Sequence, residues 1–354
     1  LLLKPLTVDF YHMVNISATQ ITLQTQYLTI LAWGSVFSLL RYTLGCYFSG
    51  IGKTKVVMRA TIVAMIVNIV LDYLLIFGKF GFPQMGIQGA AIATITGSVV
   101  ATIMLTLAYL SRYNQYYFHV KESFRFDWNI MKKLLYYGSP AGLEMFLNFL
   151  AFFFMTAMFH SQGEVVATAT TIMFNWDLVS FIPLLGIEIA VTSLVGRYMG
   201  AGHARVAEHA AYSGIKTGMF YSVIILFLFL FIPETLVRIF RPETHSELFE
   251  IAVPIAINMI RIAALYVLAE SLMVPIIGAL RGAGDTYFTM IASVAMHWSF
   301  VPVLYLSFYV FNFSVEISWL LLVLFFLVFC GVLLLRFRSG KWKKIKVIDK
   351  NIKL

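Results

Sequence analysis

Asn68 and Asp72 stand four residues apart in Asn-Ile-Val-Leu-Asp, inside an apolar run long enough to cross a bilayer. At that spacing both side chains share one helix face. A carboxylate at membrane depth is costly to keep, and paired with a carboxamide it can take up a proton or a small cation. The plainer reading is a structural polar cluster satisfied by a neighbouring helix. Thr94, in GIQGAAIAT, could add an oxygen to this site, although a lone membrane Thr commonly bonds its own backbone. Glu144 and Asn148 repeat the four-residue spacing further on, and Asp177, Glu188 and Glu270 lie in other apolar runs. Four acids there exceed what packing alone tolerates. A water-filled cavity would solvate them, and acids facing water suit cations or protons. The alternative is pairing with Arg41, Arg261 or His297, which also fall inside apolar runs; Arg41 and Arg261 are the strongest counter-ion candidates.

The elements that must position these side chains follow from composition. Of 354 residues, 60% are hydrophobic and 12% charged, about half the charged fraction of soluble domains. The sequence therefore predicts an all-α polytopic membrane protein. With about 20 apolar residues per span, nine complete transmembrane helices emerge, at roughly 27–49, 55–78, 86–110, 133–159, 165–195, 210–232, 251–280, 286–311 and 314–336. Residues 1–14 read as the end of a tenth, partial span. The net charge of +9 fits basic loops and tail, and no basic cluster interleaved with aromatics points to nucleic acid. Cys46 and Cys330 lie in apolar runs and read as small hydrophobes. Basic and less basic connections alternate, which puts the Lys53/Lys55 turn, the Arg281 turn and the C-terminus in the cytoplasm.

A shift of 232 residues lays Gly50-Ile-Gly-Lys-Thr54 on Gly282-Ala-Gly-Asp-Thr286 and aligns Met58, Ala60, Tyr73 and Leu74 with identical residues. The repeats run parallel, a common transporter plan. Two parallel six-helix lobes are expected, with the first incomplete by about three helices: residues 1–118 as a partial N-terminal lobe, 119–132 as a cytoplasmic linker, 133–336 as the C-terminal lobe and 337–354 as a basic tail. Under the repeat, Asn68 and Asp72 fall on Phe300 and Leu304, so the hairpin itself does not require the acid.

Three stretches carry a family resemblance. They are Phe48 to Thr94, with NIVLDYLLIFGKFGFPQMGIQGAAIAT; GALRGAGDT at 278–286; and PLLGIEIAVTSLVGRYMG at 183–200, after Pro140-Ala-Gly-Leu-Glu144. Together they resemble the multidrug and toxic compound extrusion (MATE) transporters over nearly the whole chain. The resemblance implies twelve helices in two six-helix lobes with a cleft between them. It also implies an antiporter of the inner membrane, exporting organic, mostly cationic and amphipathic compounds in exchange for Na⁺ or H⁺. By position, Asn68, Asp72 and Thr94 look like a cation or proton site of the first lobe, and Glu270 like an acid of the second. A Na⁺ could sit at Asp72 or Glu270. Many members carry a Glu eight residues after the Pro of the seventh helix; Asn148 stands there, with the acid displaced to Glu144. Glu144, Asn148 and Asp177 are therefore candidates for substrate or cation in the second lobe. An Asp in the first helix of the family pattern has no counterpart, so the chain resembles an N-terminally truncated member. It is expected to act as a monomer in the bilayer on a small molecule, with no cofactor besides the coupling ion.

Two other readings compete. A lipid-linked saccharide flippase of the same superfamily would carry more cleft cations for a pyrophosphate, and only Arg41 and Arg261 offer themselves. An intramembrane aspartyl protease is suggested by Gly282-Ala-Gly-Asp285, which spells GxGD, but the matching glycines at 50–52 assign them to a turn. No HExxH, GxSxG or phosphate-binding loop supports another enzyme.

Overall fold

The computed structural model describes residues 18–122 and 125–345, with side chains from residue 21 onward. It separates into two compact units, divided between Phe126 and Asp127. Among the described residues, nine helices are long and apolar enough to cross a membrane, as the hydropathy runs predict. The partial span at 1–14 lies outside the described residues.

The first unit holds α1 (Ala18–Gly50), α2 (Thr54–Phe77), α3 (Ile87–Tyr109) and the short α4 (Arg112–Phe118). Helix α3 packs on both α1 and α2, which scarcely touch each other. Small residues set these distances. A Cβ on Gly97 would come within 3.0 Å of the Ala64 carbonyl oxygen, and one on Gly89 within 2.8 Å of the Leu75 backbone. Close backbone approach through small residues is the means by which membrane helices associate, because lipid is as apolar as their side chains.

The second unit holds α5 (Trp128–His160), α6 (Glu164–Gly200), α7 (Ala204–Phe231), α8 (Pro233–Arg238), α9 (Glu247–Gly282), α10 (Thr286–Tyr305) and α11 (Val315–Arg338). Helix α10 continues into a π-helical turn, Leu306–Val310, and α11 is followed by a 3₁₀ turn, Lys341–Lys344. The centre is α9, with α6, α7 and α11 packed around it, while α5 pairs chiefly with α10. Helix α5 starts earlier than its apolar run because the Asp127 side chain accepts the Asn129 N–H at 2.8 Å, an N-cap that carries the helix past the lipid-facing stretch. The linker expected at 119–132 therefore includes the first turn of α5, and the short α4 precedes it. The segment after α11 is not wholly a solvated tail: Trp342 is completely buried and stacks on Phe337, and Lys343 reaches Glu208 of α7 at 2.6 Å.

One turn geometry recurs three times. Gly52, Gly202 and Gly284 all have positive φ, at 76°, 81° and 90°, where a Cβ is strained. The next residues, Lys53, His203 and Asp285, each donate their N–H to a carbonyl five residues back, at 2.8 Å. Gly50-Ile-Gly52, Gly200-Ala-Gly202 and Gly282-Ala-Gly284 thus build the same hairpin turn. The 232-residue repeat captures the first and third; the second escapes it.

Candidate functional site

In the first unit, Asn68 faces α3 where Gly97 removes a side chain, the Gly97 Cβ position lying 3.4 Å from the Asn68 Cβ. Asn68 Nδ2 and Asp72 Oδ1 are both shielded from solvent with no protein partner. A buried polar atom left unpaired costs about 1–3 kcal/mol, so the fold holds this pair at a standing disadvantage. The repeat positions in α10 show the alternative: Phe300 and Leu304 are buried in apolar packing, and Phe300 lies 5.2 Å from the Phe326 ring. Thr94 does not join the pair through its hydroxyl, which donates to the Ala90 carbonyl at 2.9 Å within its own helix and is exposed. That back-bonding is the ordinary fate of a Thr in a membrane helix.

In the second unit, α6 and α9 run parallel, and a single seam between them places most of the acids. Cβ atoms on Gly278 and Gly282 would come within 2.6 Å of the Glu188 carbonyl oxygen and 2.5 Å of the Thr192 carbonyl oxygen. Thr192 Oγ1 donates to the Gly278 carbonyl at 3.0 Å. Farther along the seam, the Tyr266 hydroxyl donates to Asp177, and Ser180 Oγ donates to Glu270 Oε2 at 3.2 Å. Tyr266 and Glu270 are one turn apart on α9, as are Asp177 and Ser180 on α6. Among the described residues, no arginine, lysine or histidine forms an ion pair with either acid. Glu270 is 5% exposed. The structure thus joins Asp177 and Glu270 into a carboxylate pair dressed only by hydroxyls.

Glu144 belongs elsewhere. Arg281 bonds Glu144 Oε1 through Nη2 at 2.9 Å and Glu188 Oε1 through Nη1 at 2.5 Å. This overturns the expectation that Arg41 and Arg261 are the internal counter-ions: both are exposed. Counting from the helix end assigns Arg281 to the turn, yet its long side chain reaches back along α9 to acids one to two turns deeper. The expectation of acids on a water-filled cavity is corrected with it, since Glu144, Glu188 and Glu270 are buried among side chains. Asn148 donates to Ser293 Oγ of α10 at 2.9 Å and leaves its Oδ1 buried without a partner. His297, one turn beyond Ser293, sits with Nδ1 2.8 Å from the Ser293 carbonyl.

Asp285 forms a two-point bond with Arg336 of α11, at 2.8 and 2.9 Å. That fixes it as a structural ion pair beside the turn and removes the GxGD reading. No group of three or more His, Cys, Asp or Glu among the described residues converges as a metal centre, so a Na⁺ at any of these acids would take hydroxyl and carbonyl oxygens as well.

The MatE family model matches residues 2–74 and 140–306, covering both the Asn68–Asp72 helix and the α6–α9 seam. The chain belongs to the MatE family. A probable multidrug resistance protein NorM of Thermotoga maritima is 30% identical over 336 residues, which are 92% of this chain and 68% of that protein. Multidrug resistance protein PmpM of Pseudomonas aeruginosa is 30% identical over 275 residues, 77% of this chain. The MatE chain matches 56% of the length of that second relative. Among solved structures, an outward-facing multidrug resistance MATE family transporter of the MOP superfamily superposes with a TM-score of 0.85 at 20% identity, covering 97% of this chain and 75% of that one. A MOP superfamily transporter from Pyrococcus furiosus, described as having a binding pocket of reverse polarity, gives 0.83 at 20% identity. At that identity the likeness establishes the fold. The family is one of membrane transporters, not enzymes.

Proposed function

We propose that this MatE protein is a secondary active antiporter of the inner membrane, exporting organic, cationic and amphipathic compounds in exchange for inward Na⁺ or H⁺. The observation that carries the reading is the Asp177–Glu270 pair. Two carboxylates on adjacent turns of one buried seam, given hydroxyl donors but no basic side chain, suit a proton or a small cation as their counter-charge. Asn68 and Asp72 form the corresponding site of the first unit, where the buried Oδ1 of Asp72 is open to a proton or an ion. The printed names of the NorM and PmpM relatives support organic compounds as cargo. The coupling ion is bound as cargo too, and antiport needs only that ion and compound favour opposite states of the protein. The Gly-x-Gly turns and the C-terminus face the cytoplasm on this reading, in keeping with their basic residues, and the functional unit is a monomer.

The test uses the chain reconstituted in liposomes with a fluorescent organic cation. A pH gradient and a Na⁺ gradient are imposed separately, with wild type, Asp72→Asn and Glu270→Gln. One gradient drives uptake of the dye in wild type, and each substitution abolishes the drive while the protein still inserts. Undiminished gradient-driven transport in Glu270→Gln would refute the assignment of the seam pair.

A further inference from the structure

The Glu144–Arg281–Glu188 cluster has one charge too many. Two carboxylates share one guanidinium; both acids are withdrawn from water and the arginine partly so, the side chains of Glu144, Glu188 and Arg281 being 1%, 11% and 27% exposed. Ionised throughout, the cluster carries a net negative charge in an apolar surround, which is strongly disfavoured. Its bonds also leave something over. Each acid gives Arg281 its Oε1, while Glu144 Oε2 is buried with no partner. A single oxygen suits a proton; a metal ion needs a shell of oxygens.

The three residues come from three helices held unequally. Glu188 and Arg281 lie on the α6–α9 seam, fixed by Gly278, Gly282 and the Thr192 hydrogen bond. Helix α5 leans instead on α10, through Asn148 on Ser293 and the Trp298 indole on the Leu147 carbonyl at 3.2 Å. At the level of Glu144, the Arg281 bridge is the polar tie between α5 and the seam among the described residues. The α5–α6 polar contact, Thr171 with His160, lies near the opposite end of α5.

We propose that the Glu144–Arg281–Glu188 triad is a proton site, distinct from the Asp177–Glu270 pair, whose single proton, shared between the two carboxylates, slackens the hold of α9 on α5. Glu188 is eight residues beyond Ser180, the hydrogen-bond partner of Glu270, roughly 12 Å along α6, so the two sites are separate groups of side chains. The other charged groups on the surrounding helices are accounted for. On α10, His297 is within electrostatic range of Glu144 and is held by the Ser293 carbonyl; Asp285 is occupied by Arg336 of α11. On α6, Arg197 is nine residues beyond Glu188, and on α5, Lys133 is eleven residues before Glu144. On α7, Lys216 is exposed. The inference goes beyond the antiport reading and does not need it, because the triad is tested by its proton and not by transport.

The test is infrared difference spectroscopy on the purified chain as pH is lowered, following the carbonyl band of a protonated buried carboxyl. Wild type, Asp72→Asn and Glu270→Gln show the band assigned to the triad. Glu144→Gln and Glu188→Gln each leave one carboxylate for one guanidinium, and each loses it. Glu188→Gln keeps the tie to α5, so it carries the test if Glu144→Gln fails to fold. Spin labels at the exposed positions Phe149 of α5 and Ile189 of α6, with Cys46 and Cys330 replaced by serine, report the slackening. Their separation broadens on acidification in wild type and stays fixed in Glu188→Gln. Persistence of the band in both glutamine variants, or a wild-type separation that ignores pH, overturns the proposal.

Discussion

Gly278→Ala is the most informative single substitution, because the acid-bearing seam depends on how closely α6 and α9 approach. The added Cβ would lie 2.6 Å from the Glu188 carbonyl oxygen, 3.0 Å from Glu188 Cγ and 3.1 Å from Thr192 Oγ1, where ordinary contact begins at 3.4 Å. The nearest neighbour is backbone and cannot swing aside, so the helices must part by the difference, roughly 0.8 Å. A gap of that size forfeits about a quarter to a half of each van der Waals contact along the seam. It also stretches the Thr192–Gly278 hydrogen bond from 3.0 Å past its useful limit. Overpacking costs about 1–3 kcal/mol and the lost bond about 1 kcal/mol. Against these stands a gain of about 1 kcal/mol in helix propensity on replacing Gly by Ala. The net loss is about 1–3 kcal/mol. Gly186→Ala, on α6 with no atom within 4 Å of its added Cβ, is the control, since it takes the propensity gain alone. Thermal unfolding in detergent, followed by size-exclusion with tryptophan fluorescence, measures both. At about 2–4 °C per kcal/mol, Gly278→Ala melts below wild type by several degrees, and Gly186→Ala at or above it. Equal melting temperatures for the two variants would refute the close-packed seam.

Asp285→Asn breaks the two-point bond to Arg336 and lowers stability by about 1.5–3 kcal/mol in the same unfolding assay; a paired Asp285→Arg, Arg336→Asp exchange recovers part of the loss. Trp342→Ala empties a completely buried site and costs about 3–5 kcal/mol, with the Lys341–Lys344 turn becoming open to limited proteolysis. Thr94→Val leaves dye transport unchanged, because the hydroxyl serves its own helix, whereas Asn68→Leu impairs transport without loss of stability by relieving an unpaired buried amide.

The membrane helices were legible because each apolar run is bounded by charge or glycine, and hydrocarbon leaves the backbone no other way to satisfy itself. Their ends were less so. Capping at Asp127 and the amphipathic turns beyond the lipid-facing stretch extend α5, α6 and α9 outside the apolar runs. Asn68 and Asp72 were visible from spacing alone. The pairing of Asp177 with Glu270 was not, because parallel helices distant in the chain leave no periodic trace, although Gly278 and Gly282, four apart, mark where α9 admits a neighbour. Arg281 was misplaced because a helical count tracks Cα atoms while an arginine head travels far from its own. The turn at Gly200–Gly202 shares its letters with the other two and was recoverable by scanning for Gly-x-Gly as well as for the 232-residue shift.

The repeat explains why the two units carry their acids on different helices. Shifting back by 232 residues puts Tyr266 on Gly34 and Glu270 on Ser38. In the first unit, a Cβ at Gly34 would fall 2.2 Å from Ile95, so α1 and α3 close tightly there, and Ser38 reaches Ser98 across the same contact. In the second unit, Tyr266 occupies that position, stacks on Phe326 of α11 at 5.3 Å and turns its hydroxyl to Asp177. The aromatic that fills the α9–α11 contact thus supplies a donor to the acid pair, and α1, with glycine there, has no such donor. The acid of the first unit stands on α2, where α3 offers Gly97; the matching place in α10 is filled by Phe300 and Leu304. Each unit therefore keeps its carboxylate where its own packing leaves room, and one backbone plan carries two acidic sites of different construction.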